Sequence, residues 1–399
     1  MTRTPRITRP IILPDRVRAG RYERAPDLGP RVLFFSGGTA LNETSRVLKA
    51  FTHNSIHLIT PFDSGGSSAV LRRAFAMPAV GDLRSRLMAL ADETLGGHPE
   101  IVSLFALRLS RTARRPALLK ELKSIADGED ARIRAVYPPM RRIIRGHLRT
   151  VLKAMPDGMD LRGASIGNLI LAGGYLGKGR RLNPVVAQFS KLAGVLGAVR
   201  PIVDTELHLA ARLKTGRVVV GQHRITGKEA RPLKSPVTDL FLTAGPDDPA
   251  PVPAPRLSAP VRALILGADL ICYPPGSFYT SLCANFLPRG VGKAVAAAPC
   301  PKVYVPGLGR DPERIGLDLG QSVFRLVEML RRDAGADRPT ADLLDFVLID
   351  GRNGESLAPD ARARLEADGV TVLDAALVTP QSAPYYDPQR LVTALLSLT

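Results

Sequence analysis

The sequence predicts an α/β protein built on a mainly parallel β-sheet, and three observations support this. Short apolar runs of strand length alternate with longer segments whose apolar residues recur at helical spacing. Several of these runs end in turns rich in glycine and serine that lead into helical segments. The chain of 399 residues is 45% hydrophobic and 23% charged, which is ordinary for a globular protein with a large core.

The first strand begins at Arg31. Residues 31–36 form an apolar run that ends at a Gly-Gly pair, and the following residues have apolar positions on one helical face. Residues 55–60 form a second strand of the buried type, followed by the polar turn 63–68 and another helical segment. Two parallel strands joined by a crossover helix form a right-handed unit, so this segment opens the predicted sheet.

The middle of the chain departs from this alternation. Residues 95–158 have the pattern of successive amphipathic helices and contain no strand candidate, which predicts a helical insert. Residues 165–174 are apolar throughout and predict a buried helix. Three β-rich runs between residues 199 and 220 are separated by short turns, which predicts a small antiparallel β extension.

The second half of the chain returns to alternating strands and helices. Residues 269–273, 302–305 and 346–350 are strand-like, and residues 245–260 form a Pro-rich surface loop. The elements together predict a Rossmann-like, doubly wound sheet. We therefore expect three regions, which are a basic N-terminal arm (1–29), the α/β domain (30–380) and a C-terminal helix (381–399).

The net charge of +18 makes nucleic acid, an anionic membrane and a polyanionic small molecule all candidate partners. The first thirty residues are rich in arginine, and a second basic cluster extends from Arg108 to Lys153. Neither cluster has the interleaved aromatic residues of a single-strand reader, and the spacing of a helix-turn-helix or zinc finger is missing. A solvated arginine-rich surface is therefore favoured, while a nucleic-acid site stays open as the alternative.

The sequence contains no apolar stretch long enough for a membrane helix and no signal-peptide core near its first residue. Three widely spaced cysteines suit a reducing compartment, so we expect a cytoplasmic protein without a membrane partner. The six histidines lack metal-ligand spacing and are expected to be structural or solvated.

The first candidate site is the turn Gly37-Gly38-Thr39. It lies between a strand and its helix, where backbone N–H groups and the helix dipole favour a phosphate and glycine lets the phosphate approach the backbone. The alternative is that these glycines serve only the turn. The sequence is not a Walker loop, because no Gly-Lys-Ser/Thr follows.

The second candidate turn places a carboxylate, glycines and hydroxyls at the end of the neighbouring strand. Asp63 can bind a divalent metal or take a proton, and the next residues can donate to phosphate oxygens. Those residues are Gly65, Gly66, Ser67 and Ser68. The alternative is an Asx turn in which Ser68 caps the helix.

A third turn follows the strand 269–273 and opens another helix. It contains Gly276 and Ser277 as a phosphate cradle, followed by Tyr279 and Thr280, which we also expect to bind the ligand. The three turns converge only if their strands are parallel and adjacent, and such sheets bind ligands at that edge. Asn168 lies among apolar residues, where it either orients a ligand or bonds to the backbone as a structural amide.

These residues resemble the motifs of the CofD-like proteins, which include the phospholactate transferases of coenzyme F420 synthesis and the YvcK-type gluconeogenesis factors. The resemblance covers roughly residues 31–380 and is closer to the YvcK-type branch. The motifs are Gly37-Gly38-Thr39, Asp63 with Gly65-Gly66-Ser67-Ser68, Pro78 with Gly81-Asp82-Leu83-Arg84, Ser165 with Gly167-Asn168-Leu169, and Pro275-Gly276-Ser277 with Tyr279-Thr280-Ser281.

The resemblance implies a Rossmann-like fold, a homodimer, and a bound nucleotide diphosphate or nucleotide sugar. It adds Asp82 to the ligand-binding residues. In the transferases, a magnesium-dependent step moves a phosphoester group from a guanosine-diphosphate-linked donor to a deazaflavin hydroxyl. We therefore expect either a transferase of this type, with Asp63 as Mg²⁺ ligand or base and Asn168 orienting the acceptor, or a regulator that binds a nucleotide sugar without turnover.

Four positions depart from the family pattern. Ala40 replaces a glycine, and Ser64 replaces the second acid of an Asp-Asp pair. Ala164 replaces a common histidine, and Pro274 replaces a glycine. Losing one carboxylate weakens a magnesium site, because carboxylate oxygens neutralise the charge of the ion. The departures favour binding over catalysis.

Overall fold

A computed structural model describes residues 10–94, 97–227 and 231–399. Its centre is a seven-stranded sheet in which every neighbouring pair is parallel. Across the sheet the strands are β10 (Thr371–Asp374), β9 (Phe346–Ile349), β8 (Lys302–Tyr304), β7 (Leu270–Tyr273), β1 (Val32–Ser36), β2 (Ile56–Ile59) and β3 (Ala198–Pro201). The predicted α/β fold with a mainly parallel sheet is confirmed.

Strands β1, β2, β7, β8 and β9 lie where the sequence predicted strands. Every residue of β1 is buried, because helices cover both faces of a parallel sheet. The helices are α1 (Arg16–Arg24), α2 (Asn42–Leu48), α3 (Gly66–Phe75), α4 (Gly81–Leu90), α5 (Pro99–Ala106), α6 (Arg115–Asp127), α7 (Ala131–Arg134), α8 (Pro138–Ala154), α9 (Ile166–Gly177), α10 (Leu182–Leu192), α11 (Gln222–Thr226), α12 (Ala259–Leu266), α13 (Val291–Ala297), α14 (Leu319–Ala334), α15 (Pro359–Ala367) and α16 (Pro388–Leu396). Phe34 and its neighbours on one face of the sheet pack against α1, α2 and α16, whereas Phe35 and its neighbours on the other face pack against α12, α13 and α14.

The small antiparallel extension is confirmed, but its strands differ from those predicted. It contains β4 (His208–Leu213), β5 (Val218–Val220) and β6 (Val237–Thr243), in the order β5-β4-β6. The first β-rich run of the predicted extension is instead β3, which pairs in parallel with β2 at the edge of the main sheet. An apolar run predicts a strand but not the neighbour with which that strand pairs.

Helices α5 to α8 lie within the described part of residues 95–158. The predicted loop 245–260 lies between β6 and α12, and α12 takes its last two residues. Among the described residues, no helix combines the length and the apolar character needed to cross a membrane.

The predicted N-terminal arm is partly packed on the body of the protein. Its first nine residues lie outside the described residues, but helix α1 contacts α16. The backbone N–H of Asp15 donates to the Ser397 Oγ at 2.7 Å, the Arg18 Nη1 donates to the Ser397 carbonyl at 3.1 Å, and Ala19 is buried. Helix α1 therefore packs on α16, although a short apolar contact on a basic helix gives little signal in the sequence.

Candidate functional site

The three glycine-rich turns leave strands that are adjacent and parallel. Strand β1 lies between β7 and β2, with Phe34 opposite Cys272 on one side and His57 on the other. The carboxyl ends of these strands therefore meet at one edge of the sheet, which is the condition for the turns to form a common site. Three cavities lie in this region, and the central one shares lining residues with each of the other two.

The central cavity has a volume of about 270 Å³ and lies where three helices begin. Gly66 and Ser67 come from the first turn of α3, Gly81 and Asp82 from that of α4, and Asn168 from that of α9. Positive partial charge at helix N-termini attracts anions, so a cavity at three such termini suits an anionic group. Arg84 and Arg108 also line this cavity.

The two arginines of the central cavity reinforce its positive potential. Burial lowers the pKa of Arg84, and the nearby positive charge of Arg108 lowers it further. The Arg84 Nη1 donates to the Phe105 carbonyl at 3.3 Å, while its buried Nε has no hydrogen-bond partner among the described residues. Two arginines that repel each other at the same wall favour the binding of an anion between them.

Asp63 lies at the junction of α3 and α4. Its Oδ1 accepts the backbone N–H of Gly65 at 3.0 Å, which is the Asx turn that the sequence left as one alternative. A Cβ at Gly81 would lie 3.4 Å from the Asp63 Oδ2 and 2.6 Å from the Ser68 Oγ, so the glycine permits close packing of the two helix starts. Ser68 is buried inside the first turn of α3 and does not cap it, because Gly65 is the N-cap residue.

Asn168 bridges α9 and α3. Its side-chain Nδ2 donates to the Ser67 Oγ at 2.8 Å, and its backbone N–H donates to the Ser165 Oγ at 3.3 Å. The Asn168 Oδ1 is buried and has no hydrogen-bond partner among the described residues. A buried acceptor without a partner is costly, so this oxygen is a natural contact for a ligand hydroxyl or a cation.

His223 is a site residue that the sequence analysis missed. It lies on α11 and lines the central cavity, and its Nδ1 is 2.8 Å from the Ser64 Oγ. The backbone N–H of His223 also donates to that oxygen at 3.3 Å. Ser64 and His223 are 159 positions apart in the chain, so no spacing motif could have linked them.

The outer cavity has a volume of about 700 Å³ and lies between the turns after β1 and β7. Gly37, Gly38 and Thr39 line one side and Gly276 and Ser277 the other, while Thr39 also lines the central cavity. Tyr304, Tyr385 and Tyr386 add aromatic rings to the wall. The cavity thus has the size and aromatic lining of a site for a flat organic group.

Tyr279 and Thr280, expected to bind the ligand, are instead buried in the turn after β7. Their backbone N–H groups donate to the Glu313 Oε2 at 2.8 and 2.9 Å, and the Thr280 Oγ1 donates to the Glu313 Oε1 at 2.6 Å. The preceding N–H, of Phe278, donates to Asp311 at 2.7 Å. The protein's own carboxylates therefore take the donors that a phosphate would use, which leaves Gly276 and Ser277 at the cavity wall.

Glu313 is fully enclosed in this arrangement. Burial, together with the negative charge of Asp311, raises the pKa of Glu313 to about 7, against the lowering effect of its hydrogen bonds from Thr280 and Tyr279. Sequence reasoning could not identify Glu313, because it lies far along the chain from the turn that it holds.

Gly38 has a positive φ of 62°. A Cβ there would meet nothing closer than the Ser281 Oγ at 3.7 Å, so the strain of the left-handed backbone is the main penalty. We expect Gly38→Ala to lower the free energy of unfolding by about 1–2 kcal/mol in denaturant titration. Gly20→Ala in α1, where no atom lies within 4 Å of the added Cβ, is the matched control and should be neutral or stabilising. Equal stability of the Gly38→Ala and wild-type proteins would contradict the turn requirement.

The oxygen donors of the central cavity suit Mg²⁺ better than a softer metal. Asp63 and Asp82 both line the cavity, and the buried Asn168 Oδ1 is a further hard donor. Among the described residues, no group of three or more histidine, cysteine, aspartate or glutamate side chains can hold a metal ion. These donors therefore fit a magnesium ion that also binds ligand phosphates and water, not an ion caged by protein alone.

Comparisons with known proteins agree with the fold and the motifs. The family model for CofD, described as 2-phospho-L-lactate transferase CofD, matches residues 32–379. A putative gluconeogenesis factor from Thermoanaerobacterium thermosulfurigenes is 30% identical over 299 residues, covering 75% of this chain and 74% of that protein. A gluconeogenesis factor from Bacillus subtilis is 28% identical over 345 residues, covering 86% of this chain and 85% of that protein.

A solved structure shares the architecture. The crystal structure of a UPF0052 family member from Bacillus halodurans matches with a TM-score of 0.63 and 23% identity, covering 92% of this chain and 99% of that chain. This likeness shows the common fold. The family match begins at the first residue of β1 and ends beyond β10, so it includes the whole parallel sheet and all three turns. On this basis, the chain belongs to the CofD family.

Proposed function

We propose that this chain binds a nucleotide-diphosphate-linked compound across the central and outer cavities. The observation that carries the proposal is the convergence of the N-termini of α3, α4 and α9 on one cavity that Arg84 and Arg108 also line. Helix N-termini attract phosphate through their N–H groups and dipoles, and arginine adds charge-assisted hydrogen bonds. The diphosphate lies in the central cavity.

The nucleoside lies in the outer cavity in this proposal. Thr39 lines both cavities, so a molecule can extend from one to the other past this residue. A volume of about 700 Å³ accommodates a nucleoside, and the exposed ring of Tyr385 offers a stacking surface for a base. Both GDP and UDP are therefore suitable probes.

Magnesium completes the proposed site. When bound, the ion neutralises charge on the phosphate oxygens of the ligand. Asp63 and Asp82 would hold it from the protein side, and the Asn168 Oδ1 is a further donor. The Asx hydrogen bond keeps the Asp63 carboxylate in place at the start of α3.

The binding proposal is tested with Arg108→Gln. Isothermal titration calorimetry of GDP or UDP with MgCl₂ should show an affinity about tenfold lower than that of the wild type, because a charge-assisted hydrogen bond to phosphate is lost. Arg114→Gln is the matched control, since Arg114 is an exposed arginine of the same loop that lines none of the three cavities. Wild-type protein that binds neither nucleotide, or Arg108→Gln protein that binds like wild type, would contradict the proposal.

We propose transfer as the activity of this site. A phosphoester or phosphoglycosyl-type group would move from the nucleotide-linked donor to an acceptor hydroxyl, with release of the nucleotide. The observation that favours transfer is a third cavity of about 630 Å³ that shares Gly66, Ser67 and Arg108 with the central cavity. It offers room for a second substrate beside the diphosphate.

The second candidate is a regulator of the gluconeogenesis-factor type that binds a nucleotide sugar without turnover. It is favoured by Ser64, which stands where the family pattern has a second acid and is hydrogen-bonded to His223. It is also favoured by the names of the two gluconeogenesis factors to which the chain is similar.

Asp63→Asn separates the two candidates. An asparagine keeps the Asx hydrogen bond to Gly65 but removes the charge, so the turn should persist while magnesium binding weakens. If the chain is a transferase, pure wild-type protein with candidate donors and MgCl₂ should release nucleotide, and Asp63→Asn should lose this release. Tight binding by the wild type with no product over hours would favour the regulator.

A homodimer stays a prediction, which light scattering of the purified protein would test.

A further inference from the structure

We infer that the third cavity, of about 630 Å³, binds an amphipathic anion, meaning a molecule with an apolar body and an acidic group. We call it the arginine-rimmed cavity. The inference deepens the proposed function. It rests on that function in one respect only, which is that the ligand of this cavity acts as second substrate or effector beside the diphosphate. The ligand chemistry itself follows from the walls of the cavity.

The floor of the cavity is apolar. Leu71, Met159 and Leu169 are buried side chains that line it, and Val70 is partly buried beside them. Ala164 also lines the cavity, and its small side chain leaves space that a larger residue would fill. An apolar group that enters the cavity removes both its own surface and this apolar surface from water, which favours binding.

The rim of the cavity is positively charged. It contains Arg108, Arg111 and Arg162, whereas Asp160 is the acidic residue of its lining. Asp160 already pairs with Arg162, whose Nη2 lies 2.8 Å from the Asp160 Oδ2. Neither Arg108 nor Arg111 has an acidic partner among the described residues, so the rim has an excess of positive charge for an anionic group.

The rim is a built structure and not a set of isolated surface arginines. The Arg108 Nη1 donates to the Gly163 carbonyl at 3.1 Å, and the stem of Arg111 packs beside Gly163. Backbone hydrogen bonds join the two rim segments, from Leu109 to the Ala164 carbonyl at 2.9 Å and from Gly163 to the Ser110 carbonyl at 3.2 Å. The backbone that carries these arginines is therefore held in place, which lowers the conformational entropy lost when a ligand binds.

The position of the cavity links it to the diphosphate site. Arg108 lines both cavities, and so do Gly66 and Ser67 of the first turn of α3. A molecule bound here would lie directly beside the phosphates held by the helix N-termini. The two sites use different residues otherwise, since Arg111, Arg162 and Ala164 do not line the central cavity.

The test uses 2-naphthoate as probe and 2-naphthalenemethanol as the neutral analogue with the same apolar body. Titration by intrinsic probe fluorescence should show one saturable site for 2-naphthoate and binding weaker by about tenfold or more for the alcohol, because a charge-assisted contact is lost. Arg111→Gln should weaken 2-naphthoate to a similar extent, and Ala164→Phe should abolish its binding by filling the cavity. Arg114→Gln should leave both affinities unchanged.

The outcomes separate this inference from the proposed function. Arg111→Gln removes an exposed side chain, so its result stands even if Ala164→Phe fails to fold. Binding of 2-naphthoate without GDP or UDP binding would support this cavity while contradicting the nucleotide site. The inference is overturned if the alcohol binds as tightly as 2-naphthoate, or if folded Arg111→Gln and Ala164→Phe proteins bind 2-naphthoate like wild type.

Discussion

Asn168→Asp is expected to weaken binding of GDP or UDP, titrated without MgCl₂, by about ten- to hundredfold. The change is isosteric, but it places a negative charge among the three helix N-termini where we propose that the diphosphate binds. Like charges within ~4 Å repel by several kcal/mol at the effective dielectric of a partly buried site. The helix dipole favours an acid in the first turn of α9, but Asn168 is buried, so desolvation of the new carboxylate should also cost some stability.

The measurement is calorimetric titration of each nucleotide beside a thermal melt of the ligand-free protein. Asn168→Ser is the matched control, because it shortens the side chain without adding charge and should weaken binding much less. If Asn168→Asp binds nucleotide like wild type, the diphosphate does not lie in the central cavity. If both variants melt far below wild type, Asn168 is the structural amide that the sequence left as an alternative.

Glu313→Gln is expected to change the pH dependence of stability. The folded-state pKa of Glu313 is raised to about 7 from an ordinary 4.5, so between these pH values the folded state binds a proton that the unfolded state has released. The free energy of unfolding therefore falls as pH rises through this window, by about 3 kcal/mol in total from this group. Glutamine has no proton to release, so the variant lacks this contribution.

Denaturant titrations of both proteins at a series of pH values between 4.5 and 8 measure this effect. The stability of Glu313→Gln relative to wild type should increase by about 3 kcal/mol across the window, and taking the difference cancels the titrating groups that do not interact with Glu313. Glutamine keeps a carbonyl oxygen to accept the backbone N–H groups of Tyr279 and Thr280. A constant difference at all pH values would show that Glu313 titrates normally in the folded protein.

The sequence indicated much of the candidate site because its residues follow strands directly. A glycine-rich turn after a buried strand is a local pattern, and the parallel sheet brings such turns to one edge. Gly37, Gly38 and Thr39 therefore line the outer cavity, and Asp63 lines the central one. Asp82, which the family resemblance added, and Asn168 also line the central cavity, but they lie in helices α4 and α9. Their roles in ligand binding stay predictions until the nucleotide titrations are done.

The sequence by itself determined the fold class, the strands β1, β2, β7, β8 and β9, and the family, because apolar periodicity and turn motifs are encoded within short windows. Only the tertiary structure decided that β3 joins the parallel sheet, that His223 meets Ser64, and that Glu313 takes the donors of Tyr279 and Thr280. Each of these contacts joins segments that are distant in the chain. Local composition reports whether a residue is buried, but the partner of a buried polar group depends on how the whole chain packs.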